Sequence, residues 1–351
     1  HNNFDVVRVE FFRERVASFE AFKKGVTTFH EESVAKTWAT EYNFPAIEDG
    51  RVTRREFPDN RPAGAQGWFM NTRRAKLADP RVRRAIGYAL DFEWSNKQFA
   101  YGDYIRTNSY FDNSDLSSKN DLPSEAELKL LNPHKNKIPS EVFTTIYKAP
   151  VTDGSGNARK NMRTAMKLLD DAGYKLGEDG IRAKDGARLE FEILDSNPQF
   201  ERWVLPFIKN LKRIGVEATF RTVDTAQYQN RISSFDFDIT IASFGQSASP
   251  GNEQRDFWGA EKADIEGSRN LIGIKDPVID GMIDGIITAT SREDLVTKTR
   301  AMDRILLWNH YVIPMWHYPK WRIAHWSHIQ RPETLSGISP LISSTWWAKE
   351  K

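Results

Sequence analysis

Residues 189–244 decide the fold: LEFEIL at 189–194, a polar break, QFERWVLPFIKNLKRI at 199–214, Gly215, VEATFRTV at 216–223, AQYQNRIS at 226–233 and FDFDITIASF at 235–244. The first, third and fifth pieces are short, apolar and β-branched or aromatic, as strands require. The second and fourth carry their apolar residues at helical spacing, and Gly215 closes the longer one. Strand, helix, strand, helix and strand in that order predict parallel pairing through right-handed crossovers, and hence an α/β fold.

The pattern extends in both directions. Upstream, a helix is predicted from Asn157 as cap through Met162, Ala165, Leu168, Leu169 and Ala172 to Gly173. Earlier still, Asp79 and Pro80 form an N-cap and first-turn pair ahead of Val82, Ile86, Ala89 and Leu90. Downstream, Asp276 and Pro277 open a helix that turns Ile279, Ile283 and Ile286 inward. Ser291 and Asp294, in capping-box spacing, open another with Leu295, Met302, Ile305 and Leu306 inward. Residues 103–157 are irregular, punctuated by Pro123, Pro133, Pro139 and Pro150 and closed by a loop at Asp153-Gly154-Ser155-Gly156. At the start, Phe4 to Phe12 reads as a strand, residues 16–24 as a short helix stopped by Gly25, and Thr27 to His30 as a second strand. Tyr311 to Trp326, interrupted by Pro314 and Pro319, reads as short strands leaving one lobe and entering another.

Composition bounds the function. With 351 residues, 39% of them apolar, the chain can bury a large core in one large or two ordinary domains. Its 50 basic and 48 acidic side chains nearly cancel, so nothing points to nucleic acid or acidic membranes as a partner. No apolar run approaches the ~20 residues of a membrane-spanning helix. The absence of Cys excludes disulfides, thiolate nucleophiles and Cys-based metal sites, and suits an oxidising compartment. The chain opens on His1 and shows no secretion signal, so the beginning of the gene product is expected to lie upstream. Aromatic residues make up 12%, most of them expected in the core.

In an open α/β sheet, ligands bind beyond the carboxyl ends of the strands. The loop after Phe244 is therefore the candidate site. From Gly245 to Trp258 it gathers Gln246, Ser247, Ser249 and Asn252, which donate and accept hydrogen bonds, and Arg255, which can clamp a carboxylate or phosphate. The plain alternative is a polar turn that satisfies its own backbone, with Arg255 clasped by Glu253 or Asp256. Enzyme readings lack their geometry. Gly245-Gln246-Ser247-Ala248-Ser249 has no second glycine of a nucleophile elbow, and no catalytic partner is visible for Ser247. His317, His325 and His328 fit no metal-site spacing. Gly154 and Gly156 do not form a phosphate-binding motif, and Asp170 and Asp171 fall on a solvated helix face. No catalytic residue, cofactor or metal is assigned.

Four stretches carry a family resemblance. They are Gly67-Trp68-Phe69-Met70-Asn71-Thr72-Arg73-Arg74 running into Asp79-Pro80-Arg81-Val82-Arg83-Arg84-Ala85; Tyr104-Ile105-Arg106-Thr107-Asn108-Ser109-Tyr110-Phe111; Gln246 to Trp258; and Gly267-Ser268-Arg269-Asn270. With these the chain resembles the family 5 extracellular solute-binding proteins, the dipeptide and oligopeptide-binding group of ABC importers. The last three stretches favour the YejA-type branch, linked to uptake of peptides and microcin C.

The resemblance implies a class II periplasmic binding protein fold, with ligand enclosed between two lobes. On that pattern residues 1–70 belong to a first lobe whose opening portion is absent, 71–319 form the complete second lobe, and 320–351 return to the first. It implies no enzyme activity, a location in the periplasm of a Gram-negative cell, a peptide or peptide-like ligand, and the ABC permease subunits of the inner membrane and the missing amino-terminal portion as partners. Trp68, Asn71, Arg106, Asn108 and Trp258 join Gln246, Ser247, Ser249, Asn252 and Arg255 as expected ligand-binding residues, and the loop from Gln246 to Trp258 is expected to line the interlobe cleft. Many members place an Asp after the equivalent strand to hold the peptide's amino terminus. Here Gln246 and Ser247 stand instead, leaving Glu253 or Asp256 as substitutes and an N-blocked peptide as an alternative ligand. A sugar ligand stacked on Trp68, Trp258, Trp316 and Trp321, or a periplasmic hydrolase acting through Ser247, are the competing readings.

Overall fold

The structure, a computed structural model, describes residues 3–340 and 342–349. It resolves into two compact units. The larger comprises Pro62–Phe99 and Tyr104–His317, and the smaller His1–Arg61, Ala100–Asp103 and Tyr318–Lys351.

The larger unit is built on β1 (Ala65–Met70), α1 (Pro80–Gly87), β2 (Ile105–Arg106), α2 (Glu125–Leu131), α3 (Arg159–Asp171), β3 (Glu190–Asp195), α4 (Glu201–Arg213), β4 (Glu217–Thr222), α5 (Thr225–Ser233), β5 (Ile239–Phe244), α6 (Glu253–Trp258), α7 (Pro277–Ile287), α8 (Arg292–Trp308), β6 (Val312–Pro314) and β7 (Trp316–His317). Its sheet has the order β6-β1-β5-β3-β4. The three strands expected from the sequence pair in parallel, β5 with β3 and β3 with β4. The two added strands run the other way at each junction: β1 is antiparallel to β5 and β6 is antiparallel to β1.

Alternate residues of β1 face opposite layers, as a strand's period of two dictates. Phe69 joins a core with Phe244, Ile279, Ile283, Met302 and Ile305 from β5, α7 and α8. Trp68, fully buried, faces Phe207 of α4 at 4.4 Å between ring centres. Helices therefore cover both faces of the sheet. Gly67 permits the close approach of β6, since a Cβ there would lie 2.3 Å from Val312 Cγ1 and 2.7 Å from the Ile313 carbonyl oxygen.

Asp79 caps α1 through the Arg81 N–H, and Asp276 caps α7 through that of Val278. Ser291 accepts from Asp294 N–H at 3.1 Å, but the Asp294 carboxylate turns to Thr290 N–H, so only half of the expected capping box forms. The helix expected to start on Asn157 starts instead at Arg159, with Ala158 in the cap position and no side-chain cap. Asn157 lies exposed in the preceding turn, its own N–H bonded to Ser155 Oγ.

In the smaller unit, strand Lys320–Trp326 lies between Phe29–Glu31 and Val52–Pro58, antiparallel to both. Phe19 and Phe22 of helix Arg15–Lys23 pack with Trp38, Tyr42, Val52 and Ala324. The strand expected at Thr27 to His30 is thus present slightly later. That expected at Phe4 to Phe12 does not form: its apolar residues have no ladder partner among the described residues, and Val6, Val7, Val9 and Phe11 are exposed. The compact units part at Arg61, and β1 is hydrogen-bonded inside the larger unit's sheet.

Candidate functional site

Beyond the carboxyl end of β5 the chain enters the loop 245–252 and then the short α6. Trp258 at the end of α6 is fully buried, and an indole N–H can only donate. It donates to Gln254 Oε1 at 2.9 Å, which leaves the Gln254 amide nitrogen to donate to Gln246 Oε1 at 2.7 Å. The far end of this chain is therefore the Gln246 NH2 group, a buried donor without an acceptor among the described residues. Gln254, itself held by Trp258, thus fixes the orientation of the Gln246 amide.

The rest of the loop is more open. Ser247, Ser249 and Asn252 are exposed, with Ser247 Oγ accepting the Ser249 N–H at 3.1 Å. Arg255 Nη2 lies 2.6 Å from Asp284 of α7. The clasp anticipated as the alternative to a ligand role does exist, but with a partner on another helix rather than with Glu253 or Asp256. Glu253 instead accepts the Gly251 N–H at 2.8 Å, tightening the turn.

At the neighbouring carboxyl end, Asp195 closes β3. Its Oδ1 accepts the N–H groups of Ser196 at 2.7 Å and Asn197 at 3.1 Å, whereas Oδ2 is buried without a donor among the described residues. Burial outweighs the two backbone bonds and pushes the carboxyl up to about 6. Nearby, Tyr228 of α5 meets Thr240 Oγ1 at 3.1 Å and the Ile241 carbonyl at the same distance. Sequence reasoning passed over Asp195; its position as the last residue of a parallel strand, just after a run of apolar residues, was the available signal.

The other expected residues have different surroundings. Asn71 is fully buried and stitches the end of β1 to the turn before β5: its amide donates to the Phe235 and Phe237 carbonyls, and its Oδ1 accepts from Arg73. Asn108 donates to the Arg106 carbonyl and accepts the Ala149 N–H at 2.7 Å, pinning the irregular stretch. Trp68 packs in the core, its indole nitrogen buried without an acceptor. Trp316 stacks on Trp203 at 3.9 Å, and Trp321, in the smaller unit, lies under Arg61 at 4.0 Å. Arg106, on β2, is buried beneath Phe92, and none of its three guanidinium nitrogens has an acceptor among the described residues. Among the described residues no three His, Asp or Glu side chains cluster as metal ligands, and no helix is long and apolar enough to cross a membrane.

What this arrangement offers is polar recognition at the end of a sheet: a fixed amide donor, a buried carboxyl oxygen without a donor among the described residues, serine hydroxyls and backbone. Residues 1–264 match the sequence profile of the bacterial extracellular solute-binding proteins, family 5 Middle. The chain is 46% identical over 351 residues to the uncharacterized protein y4wM of Sinorhizobium fredii, covering 99% of this chain and 53% of that protein. To the probable peptide-binding protein YejA of Agrobacterium fabrum it is 43% identical over 350 residues, covering 99% of this chain and 57% of that protein. The chain spans little more than half the length of these relatives. Among solved structures, the oligopeptide-binding protein AppA of Bacillus subtilis in complex with a nonapeptide superposes with a TM-score of 0.70 at 18% identity, over 95% of this chain and 58% of that one. That likeness establishes the fold: the α/β architecture is that of the solute-binding proteins.

Proposed function

Because the chain belongs to the bacterial extracellular solute-binding proteins of family 5, we propose that it is part of a periplasmic binding protein that captures peptides or peptide-like compounds and delivers them to an ABC permease. The observation that carries this reading is the 43% identity, along 99% of the chain, to a protein described as a probable peptide-binding protein. The site supports it chemically. A peptide backbone presents carbonyl acceptors and N–H donors in alternation; the loop after β5 supplies a donor in the Gln246 NH2, and the end of β3 supplies an acceptor in the Asp195 Oδ2. Each is buried, so each gains more from a ligand partner than an exposed group would. The protein acts by binding, with no bond made or broken.

Gln246, Ser247, Ser249, Asn252 and Arg255 are the residues of this chain we assign to ligand contact. Trp258 supports the site from within through its bond to Gln254, whereas the side chains of Trp68, Asn71 and Asn108 are engaged elsewhere in the fold. The test is titration calorimetry on the full-length gene product with tripeptides and, separately, oligosaccharides. Peptide binding that weakens at least tenfold in Gln246→Leu, in protein still folded at the temperature of the assay, supports the assignment; tenfold corresponds to about 1.4 kcal/mol. Saccharide binding with no peptide binding would overturn the ligand class, and unaltered peptide affinity in Gln246→Leu would overturn the site.

A further inference from the structure

The geometry points to a second, anion-selective site in the larger unit: a cavity in which Arg106 takes one carboxylate-sized anion. The cavity measures about 50 Å3 and lies between α1, the end of α8, β6 and the irregular stretch before residue 150. Arg83, Arg84, Arg106, Lys148, Tyr147 and His310 are among its lining, and no lining residue carries a carboxylate.

The three arginines differ in what they hold. Arg83 spends its donors on the carbonyls of Leu77, Ala78 and Asn309, at 2.6 to 3.1 Å. Arg84 reaches Glu141 at 3.4 Å. Among the described residues, Arg106 alone of the three has a guanidinium without any acceptor, and its three nitrogens are buried. Its five N–H donors cannot be met by the face of Phe92, 5.2 Å away, since a ring offers one diffuse attraction and no directional lone pair. The carboxylate whose field reaches Arg106, that of Glu93, accepts the Thr152 N–H and hydroxyl on its Oε2 and is not within hydrogen-bond reach of the guanidinium.

The group stays a cation all the same. Burial lowers its pKa only to about 10, so it remains protonated at neutral pH. Neutralisation by proton loss, the usual escape for a buried charge, is closed to it. His310 adds no competing charge, because burial and the two neighbouring arginines push it down to about 3. Tyr147, pushed up to about 12, keeps its hydroxyl proton. A buried planar fork with its donors unmet, surrounded by further positive charge, matches the two oxygens of a carboxylate.

Two sources of that chemistry exist, a carboxylate on the bound peptide and a free small anion. The first rests on the peptide-binding reading above; the second does not. The experiment therefore has two arms on the full-length protein. In the first, acetate is titrated against a bulky sulfonate at constant ionic strength while the melting temperature is followed, for wild type, Arg106→Met and Arg106→Lys. We expect a saturable rise in wild type, a smaller one in Arg106→Lys and none in Arg106→Met. In the second, peptides with free and amidated carboxyl termini are compared. A preference of tenfold or more for the free acid, abolished by Arg106→Met, identifies the ligand as the source, whereas an acetate response with equal peptide affinities identifies a free anion. If wild type shows neither an acetate response nor a carboxylate preference, and Arg106→Met is the more stable protein, the cavity holds only an unpaired arginine and the site does not exist. Failure of peptide binding altogether leaves the acetate arm intact as the judge of this site.

Discussion

Asp195 holds two backbone N–H groups on one carboxyl oxygen while its other oxygen is buried without a donor. Its pKa is raised to about 6, against about 3.9 for an unfolded aspartate. A raised carboxyl pKa means the folded state prefers the proton, so ionisation opposes folding above pH 6 and ceases to do so below pH 4. Asp195→Asn keeps the backbone bonds through its amide oxygen and should melt higher than wild type above pH 6. The gap should close as pH falls from 6 to 4, and a pH-independent gap would contradict the assignment. Arg255 presents the opposite case, an ion pair with Asp284 that is substantially exposed on both sides. Such pairs contribute about 0 to 1 kcal/mol, so Arg255→Ala should change stability by less than that. If Arg255 anchors the ligand, peptide affinity should nevertheless fall about tenfold in calorimetry, and an equal affinity would leave the guanidinium to the clasp alone. The Gln246 to Trp258 loop was legible as a polar end-of-strand segment. Its internal order was not: the Trp258–Gln254–Gln246 chain and the Asp284 partner depend on where α6 and α7 come to lie in space.

At the scale of elements, α2 and α8 are joined by a buried ion pair. Glu127 forms a capping box with Ser124 and at the same time accepts from Arg304 Nε at 2.6 Å, both side chains being almost wholly excluded from solvent. Removing one partner strands the other charge, so Arg304→Met should cost about 3 to 5 kcal/mol in chemical denaturation. The double variant Glu127→Met with Arg304→Met should recover part of the loss; a single-variant cost below about 1 kcal/mol would show the pair to be unimportant. Gly67→Ala tests the sheet in the same way, because the new methyl meets Val312 and the Ile313 carbonyl, and a cost of about 1 to 3 kcal/mol is expected from forced separation of β1 and β6. The parallel strands β3, β4 and β5 could be read from periodicity, since each sits beside a crossover helix. That β1 and β6 complete the sheet could not, because apolar content shows a strand but not its partner. The stretch 4–12 makes the same point in reverse, with a strand's composition and no ladder.

The whole molecule is assembled discontinuously, the smaller unit drawing on three separate pieces of chain and the larger on two. Local pattern cannot show this. The chain passes from the larger unit to the smaller between His317 and Tyr318, in a stretch of short strands that Pro314 and Pro319 interrupt. The family, in contrast, was legible from a few motifs, since the Asn71 and Arg73 knot at the end of β1 and the Gln246 to Trp258 loop are sequence-local and serve the same scaffold. Peptide capture by the protein this chain belongs to is the proposal on which the site assignments rest. It is tested most directly by native mass spectrometry of the full-length protein purified from its periplasm without added ligand. The account predicts one peptide-mass ligand per protein, exchanged by added tripeptide and depleted in Gln246→Leu. Protein carrying only saccharide masses, or none and indifferent to added peptide, would contradict it.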